Sequence, residues 1–240
     1  MLNKTSIKKI IFKRKFSAIN YLVVILILLV SNFSFGQFSD SLSIKKEAVE
    51  WKLDTLIKGD FDFFNVDLIG NVYTVKNDVL KKFNASGDEL FRQSVKFFGE
   101  ITSMDVGQSF KPVLFYQDQQ SIIYLDNTLS QNAEIQLEEK GIYLAQLVAL
   151  SYTQNTTWIY DQANTSLSKY DINFTQISTV ENLAQQLNQD FNPTFLKEYN
   201  DLLYMNNPSE GILVFDLFGT FVKTIPVKDA TYLDLDNNHV

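Results

Sequence analysis

The sequence predicts an all-β fold of repeated four-stranded antiparallel blades, a β-propeller, and three observations lead there. Strand-ending residues Asn84, Asp126, Asp171 and Asp216 recur at spacings of 42, 45 and 45. Each closes a pair of apolar runs separated by a short polar turn. The chain also carries Phe 20, Tyr 11 and Trp 2 against only Gly 9 and Pro 4, which favours strands and leaves the turns to Asn, Asp, Ser and Gln. A period of about 40 to 45 residues suits one four-stranded blade.

In chain order, Ile69-Gly70-Asn71-Val72-Tyr73 leads to Val79-Leu80-Lys81-Lys82-Phe83-Asn84, and Val113-Leu114-Phe115-Tyr116 to Ile122-Ile123-Tyr124-Leu125-Asp126. Thr157-Trp158-Ile159-Tyr160 leads to Leu167-Ser168-Lys169-Tyr170-Asp171, and Leu202-Leu203-Tyr204-Met205 to Ile212-Leu213-Val214-Phe215-Asp216. Hairpin turns are expected at 76–78, 117–120, 161–164 and 206–209. In the first unit, alternation sends Leu80, Lys82 and Asn84 to one face and Lys81 and Phe83 to the other. A helical insertion is expected over 180–189. The blades then cover about 61–98, 99–140, 145–190 and 193–228, with a fifth unit beginning at 229. Leu233 to Val240 repeats the pattern of Val66 to Tyr73 at an offset of 167.

The first unit, with Val66-Asp67-x-x-Gly70-Asn71-Val72-Tyr73 followed by Phe83-x-x-x-Gly87, resembles a blade of the NHL class of six-bladed β-propellers, of the exported kind found in Bacteroidetes. The match weakens to Phe215-Asp216-Leu217-Phe218-Gly219 in the fourth unit, and Leu129 and Phe174 stand where the second and third would carry glycine. This resemblance implies a fold; such propellers host many unrelated activities. No Gly-His and Trp-Asp pair, sialidase-type Asp-box or Gly-Trp signature of quinone-dependent dehydrogenases is present. A six-bladed ring needs about 250 residues at this period, more than the 204 that follow Gly36. The expectation is an incomplete ring, four blades plus the start of a fifth, with a closed five-bladed ring as the alternative.

The N-terminal residues read as a secretory signal. Residues 1–17 are basic, Tyr21 to Val30 is an apolar run, and Ser31 to Gly36 offers small residues for cleavage before Gln37. An uncleaved anchor is the competing reading, but ten such residues in a helix cover about 15 Å, half of a hydrocarbon core. Segment 37–60, where Val49, Trp51 and Leu53 alternate, could supply a strand that closes the last blade. Export with cleavage places the mature chain in the periplasm or cell envelope without stable membrane insertion. Asp40-Ser41-Leu42 and Asp54-Thr55-Leu56 resemble a short O-glycosylation motif.

Residues 1–36 hold six bases and no acid, so the remainder has 15 bases against 28 acids. That balance repels a nucleic-acid backbone. Zero cysteines exclude disulfides, thiolate metal sites and cysteine nucleophiles.

His239 is the only histidine, which removes a Ser-His-Asp triad and a histidine zinc site. Asp234-x-Asp236-x-Asn238 begins like a calcium loop without its central glycine or terminal glutamate, and inner-strand turn residues are the plainer account. Asp67 and Asp105 recur at comparable places, to cap inner-strand backbone groups or to line a central channel. No spacing singles out a carboxylate pair for glycoside chemistry, and no phosphate-binding glycine loop exists. Trp158, Tyr160, Phe115 and Tyr116 fit a core between blades before any sugar platform. No catalytic, cofactor-binding or metal-ligating residue is assigned, and no cofactor is expected. The functional expectation is a non-catalytic interaction or scaffold module with a protein partner. Its alternative is a propeller enzyme or ligand binder using the central channel, with a divalent cation.

Overall fold

The computed structural model describes residues 55–94, 98–106, 111–151 and 155–230, with Leu233 and Leu235. Residues from Gly59 onward belong to one compact unit. A second unit spans Lys9–Lys58, of which only 55–58 are described. The signal segment, residues 37–54 of the expected closing segment 37–60, Asp234, Asp236, Asn238 and His239 lie outside the described residues; residues 55–60 of that segment are described and form no strand.

The first unit contains four antiparallel sheets of four strands, each an up-and-down meander in chain order. The first blade is β1 (Phe63–Val66), β2 (Val72–Lys76), β3 (Val79–Phe83) and β4 (Glu89–Ser94). The second is β5 (Ser103–Asp105), β6 (Val113–Tyr116), β7 (Ser121–Leu125) and β8 (Gln131–Gln136). The third is β9 (Ala145–Leu150), β10 (Thr157–Asp161), β11 (Ser166–Tyr170) and β12 (Gln176–Val180). The fourth is β13 (Phe195–Tyr199), β14 (Leu202–Asn207), β15 (Gly211–Phe215) and β16 (Phe221–Ile225). Among the described residues, helix is limited to a 3-10 turn at Glu138–Lys140 and to α1 (Leu183–Leu187), which falls inside the expected insertion, whose first residue instead ends β12.

Burial follows strand position. The second and third strands of a blade are sandwiched between neighbours, so β6 (VLFY) and β10 (TWIYD) are buried throughout and read as continuous rather than alternating apolar runs. The fourth strands, such as β4 (ELFRQS) and β8 (QNAEIQ), are mostly exposed. First strands of adjacent blades run beside one another, β5 against β9 and β9 against β13.

The cores sit between blades rather than within them. Tyr73, Val75 and Leu80 of the first blade pack with Leu114, Tyr116 and Ile123 of the second. The opposite face of the second, Val113, Phe115 and Ile122, packs with Val148, Ile159 and Tyr170 of the third. Trp158, Tyr160 and Leu167 then meet Leu203, Met205 and Phe215 of the fourth. The far face of the fourth, Tyr204, Ile212 and Val214, is covered by Leu233 and Leu235. Of the expected fifth unit, only these two leucines and the residues up to 230 are described. Each fully buried Leu, Ile or Val contributes about 1.5–3 kcal/mol, so no blade is stable without its neighbour.

The strand-ending Asx residues share one local geometry. Asp126 Oδ1 accepts the backbone N–H of Thr128 (2.8 Å) and Ser130 (2.9 Å). Asn84, Asp171 and Asp216 do the same for the residues two and four positions on. Asp67, between β1 and β2, repeats the arrangement with Ile69 and Asn71. The fourth residue of each turn has positive φ: Gly70 (87°), Gly87 (91°), Leu129 (67°), Phe174 (60°) and Gly219 (87°). Leu129 and Phe174 therefore hold the glycine conformation, and the second and third units keep the turn although their sequences lack its glycine. A β-bulge precedes each of the four strand-ending turns at the same place. The hairpins of the third and fourth blades turn later than expected, because Asp161, Asn206 and Asn207 remain paired in strands.

Asp126→Ala should cost about 1–2 kcal/mol, since two backbone donors lose their acceptor. Asp126→Asn should be nearly neutral, because an amide oxygen already does this work at Asn84. Urea midpoints of the two variants check the difference.

Candidate functional site

Each seam between described blades carries a polar stitch from the same repeat position, two residues before the strand-ending Asx. That position pairs across the hairpin with an inward residue: Lys82 with Tyr73, Tyr124 with Val113, Lys169 with Trp158. Strand alternation aims the side chain at the next blade. Lys169 Nζ lies 3.7 Å from Glu198 Oε2, 3.5 Å from the Leu217 carbonyl and 4.8 Å from the centre of the Trp158 ring. Glu198, on β13, also accepts Trp158 Nε1–H (2.6 Å) and the Ser151 hydroxyl (2.7 Å). Both charged residues are buried. Burial lowers the Lys169 pKa, and the Glu198 carboxylate opposes that by favouring the ammonium.

Lys82 has the equivalent arrangement two seams earlier, in the first blade. Its Nζ donates to the Asn127 carbonyl of the second blade (2.9 Å) and stands 5.2 Å from the Tyr73 ring centre. Beside it, Asp67 Oδ2 accepts Asn71 Nδ2–H (2.7 Å) and the Tyr73 hydroxyl (3.2 Å). Burial lowers the Lys82 pKa against the attraction of Asp67 and Asp126. At the middle seam the stitch is neutral, a 2.7 Å hydrogen bond between the Tyr124 and Thr157 hydroxyls. The first strands add further ties: Asn65 Nδ2–H donates to Met104 O, and Asp105 Oδ2 accepts Leu150 N–H.

The structure thus places Asp67 and Asp105 where they satisfy backbone groups, the first in its own turn and the second across a seam. Trp158, Tyr160, Phe115 and Tyr116 are fully buried between blades. Lys82, Lys169 and Glu198 were not singled out by sequence. The signal for the two lysines was their shared place two residues before Asn84 and Asp171; Glu198 gave none. Among the described residues, no group of three or more His, Cys, Asp or Glu gathers to hold a metal ion. No helix among them is long and apolar enough to cross a membrane.

Burial also raises the phenol pKa of Tyr116 and Tyr160 to about 12, and lifts those of Tyr73, Tyr124 and Tyr170. A phenol whose folded pKa exceeds its unfolded one stabilises fully below the unfolded value and loses that contribution as pH rises through the folded value. Stability should therefore fall above about pH 10. An ultraviolet titration should show these tyrosines ionising together with unfolding; independent ionisation of a still-folded protein would contradict the assigned burial.

No protein-family model matches the chain, and no curated protein matches it by sequence. Solved structures do. Virginiamycin B lyase from Staphylococcus aureus aligns with a TM-score of 0.50 at 14% identity, over 68% of this chain and 55% of the lyase. The chain is a β-propeller. A streptogramin B lyase (TM-score 0.49, 16% identity, 68% of this chain and 54% of that one) and the Pan2 WD40 domain of Neurospora crassa (0.49, 10%, 70% and 50%) are also similar. At such identities the likeness is one of fold. The propeller spans little more than half the length of the lyase it matches.

Proposed function

We propose that this propeller is an exported, non-catalytic interaction or scaffold module of the cell envelope. The carrying observation is a division of labour within the repeat. Its recurrent polar side chains are engaged inside the fold, Asx residues in turn closure and Lys82 and Lys169 at seams. Large apolar side chains instead stand out of the turns. Export is supported by the basic, apolar and small-residue layout of positions 1–36. Kinship with NHL-class six-bladed propellers is supported by Val66-Asp67-x-x-Gly70-Asn71-Val72-Tyr73, whose Asp and Gly form the turn described above.

Cross-linking in the source cells tests the reading. A tagged chain should yield a discrete protein adduct that excess untagged chain competes away. Absence of any competable adduct would count against the module.

A further inference from the structure

Among the described residues, five large apolar side chains are more than 60% exposed: Leu68 (66%), Ile69 (65%), Tyr143 (67%), Ile172 (78%) and Phe218 (76%). Four of them occupy the second or third position of an Asx turn. Those turns share one end of the propeller. In a meander, the first and third connections leave a sheet at the same end, and the contacts of Lys82 with Asn127 O and Lys169 with Leu217 O tie the strand end before one turn to the turn of the next blade. The opposite end presents polar hairpin tips, Asn77-Asp78 and Gln117 to Gln120 among them, and carries Tyr143 with the less exposed Leu144 and Val227.

Isolated exposed apolar residues need no explanation, but their concentration in one turn type at one end does. The Asx oxygen satisfies the turn's backbone donors, so Ile172 and Phe218 project from closed frames, and little backbone order remains to be imposed on binding. Charge narrows the occupant. Among the described residues of the first and third connections at this end, Asp88, Asp126, Asp171, Asp201 and Asp216 are at least partly exposed, and Lys111 is the only exposed base. Anionic lipid headgroups and nucleic acid would meet repulsion there, whereas a cationic partner would be steered in.

Resting on the interaction-module reading, we infer that the Asx-turn end docks a basic, apolar-faced protein segment, with Ile172 and Phe218 of adjacent blades as its apolar contacts. The test uses the full chain and a fluorescent synthetic peptide of alternating lysine and leucine. Lysine–serine and glutamate–leucine peptides and phosphatidylglycerol vesicles are run in parallel. The lysine–leucine peptide should bind, more weakly as salt rises, and Ile172→Ser with Phe218→Ser should weaken it about tenfold. Tyr143→Ser, at the other end, should leave it unchanged. Equal binding by the double variant, or equal binding of the lysine–serine peptide, overturns the assignment. Vesicle binding that depends on Phe218 would make the occupant a lipid surface instead. The cross-linked adduct separates the two levels: its persistence in the double variant rejects this end but keeps the module, while its absence from the wild type rejects the module.

Discussion

Glu198→Ala is expected to lower unfolding stability by about 3–5 kcal/mol, because it leaves the buried Lys169 ammonium uncompensated. It also strips Trp158 Nε1–H and the Ser151 hydroxyl of their acceptor. Lys169→Met should cost less, about 1–3 kcal/mol, since Glu198 keeps both of those donors. The double variant Lys169→Met, Glu198→Leu should fall short of the summed effects by about 1–3 kcal/mol, as coupled neighbours do. A urea-denaturation cycle measures this, and strict additivity would remove Lys169 and Glu198 as partners. The pH dependence has a defined sign. A base whose folded pKa lies below its unfolded one makes stability rise with pH across that gap, because the unfolded chain holds the proton more firmly. Without Glu198 the gap widens, so the deficit of Glu198→Ala should be largest near neutrality and shrink towards about pH 10.

Opposite changes at equivalent turn positions should both destabilise. A Cβ at Gly219 would lie 3.1 Å from Val180 Cγ2 and 3.7 Å from the Trp158 ring, and its φ is +87°. Gly219→Leu combines overpacking with a left-handed backbone penalty, for about 2–4 kcal/mol. Leu129 occupies the same turn position with φ of 67°, yet it is buried in one cluster with Tyr73. Leu129→Gly relieves about 1–2 kcal/mol of backbone strain but empties a core site worth more, leaving a net loss of about 1–3 kcal/mol. Thermal or urea unfolding of both variants checks the pair, and a stabilised Leu129→Gly would show that backbone strain outweighs packing there.

The difference between these positions also explains what the sequence reveals. Asn84, Asp126, Asp171 and Asp216 are legible because each does a local job, closing its own turn, that only a short side chain with an acceptor oxygen performs. Blade length and the strand pair before each turn follow from them. The glycine pattern fades at Leu129 and Phe174 because packing against the preceding blade outweighs backbone preference, so an apparent loss of motif conceals an unchanged turn. First strands such as Phe63–Val66 and Ser103–Asp105 are short and their residue types are fixed by another blade, which leaves little periodicity to read. Glu198 is hidden for the same reason. Its partners lie in the preceding blade, 29 to 47 residues away in Lys169, Trp158 and Ser151.

The pairing of sizes across seams fixes which blade can neighbour which. Trp158 faces Gly219, Tyr73 shares its cluster with Leu129, and the smaller Val113 shares its own with Phe174. The blades are keyed to their positions: transposing the third with the second would bring an indole against an occupied site at one junction and open a void at another. Module order is thus fixed by the seams, while the exposed tips are free of that constraint.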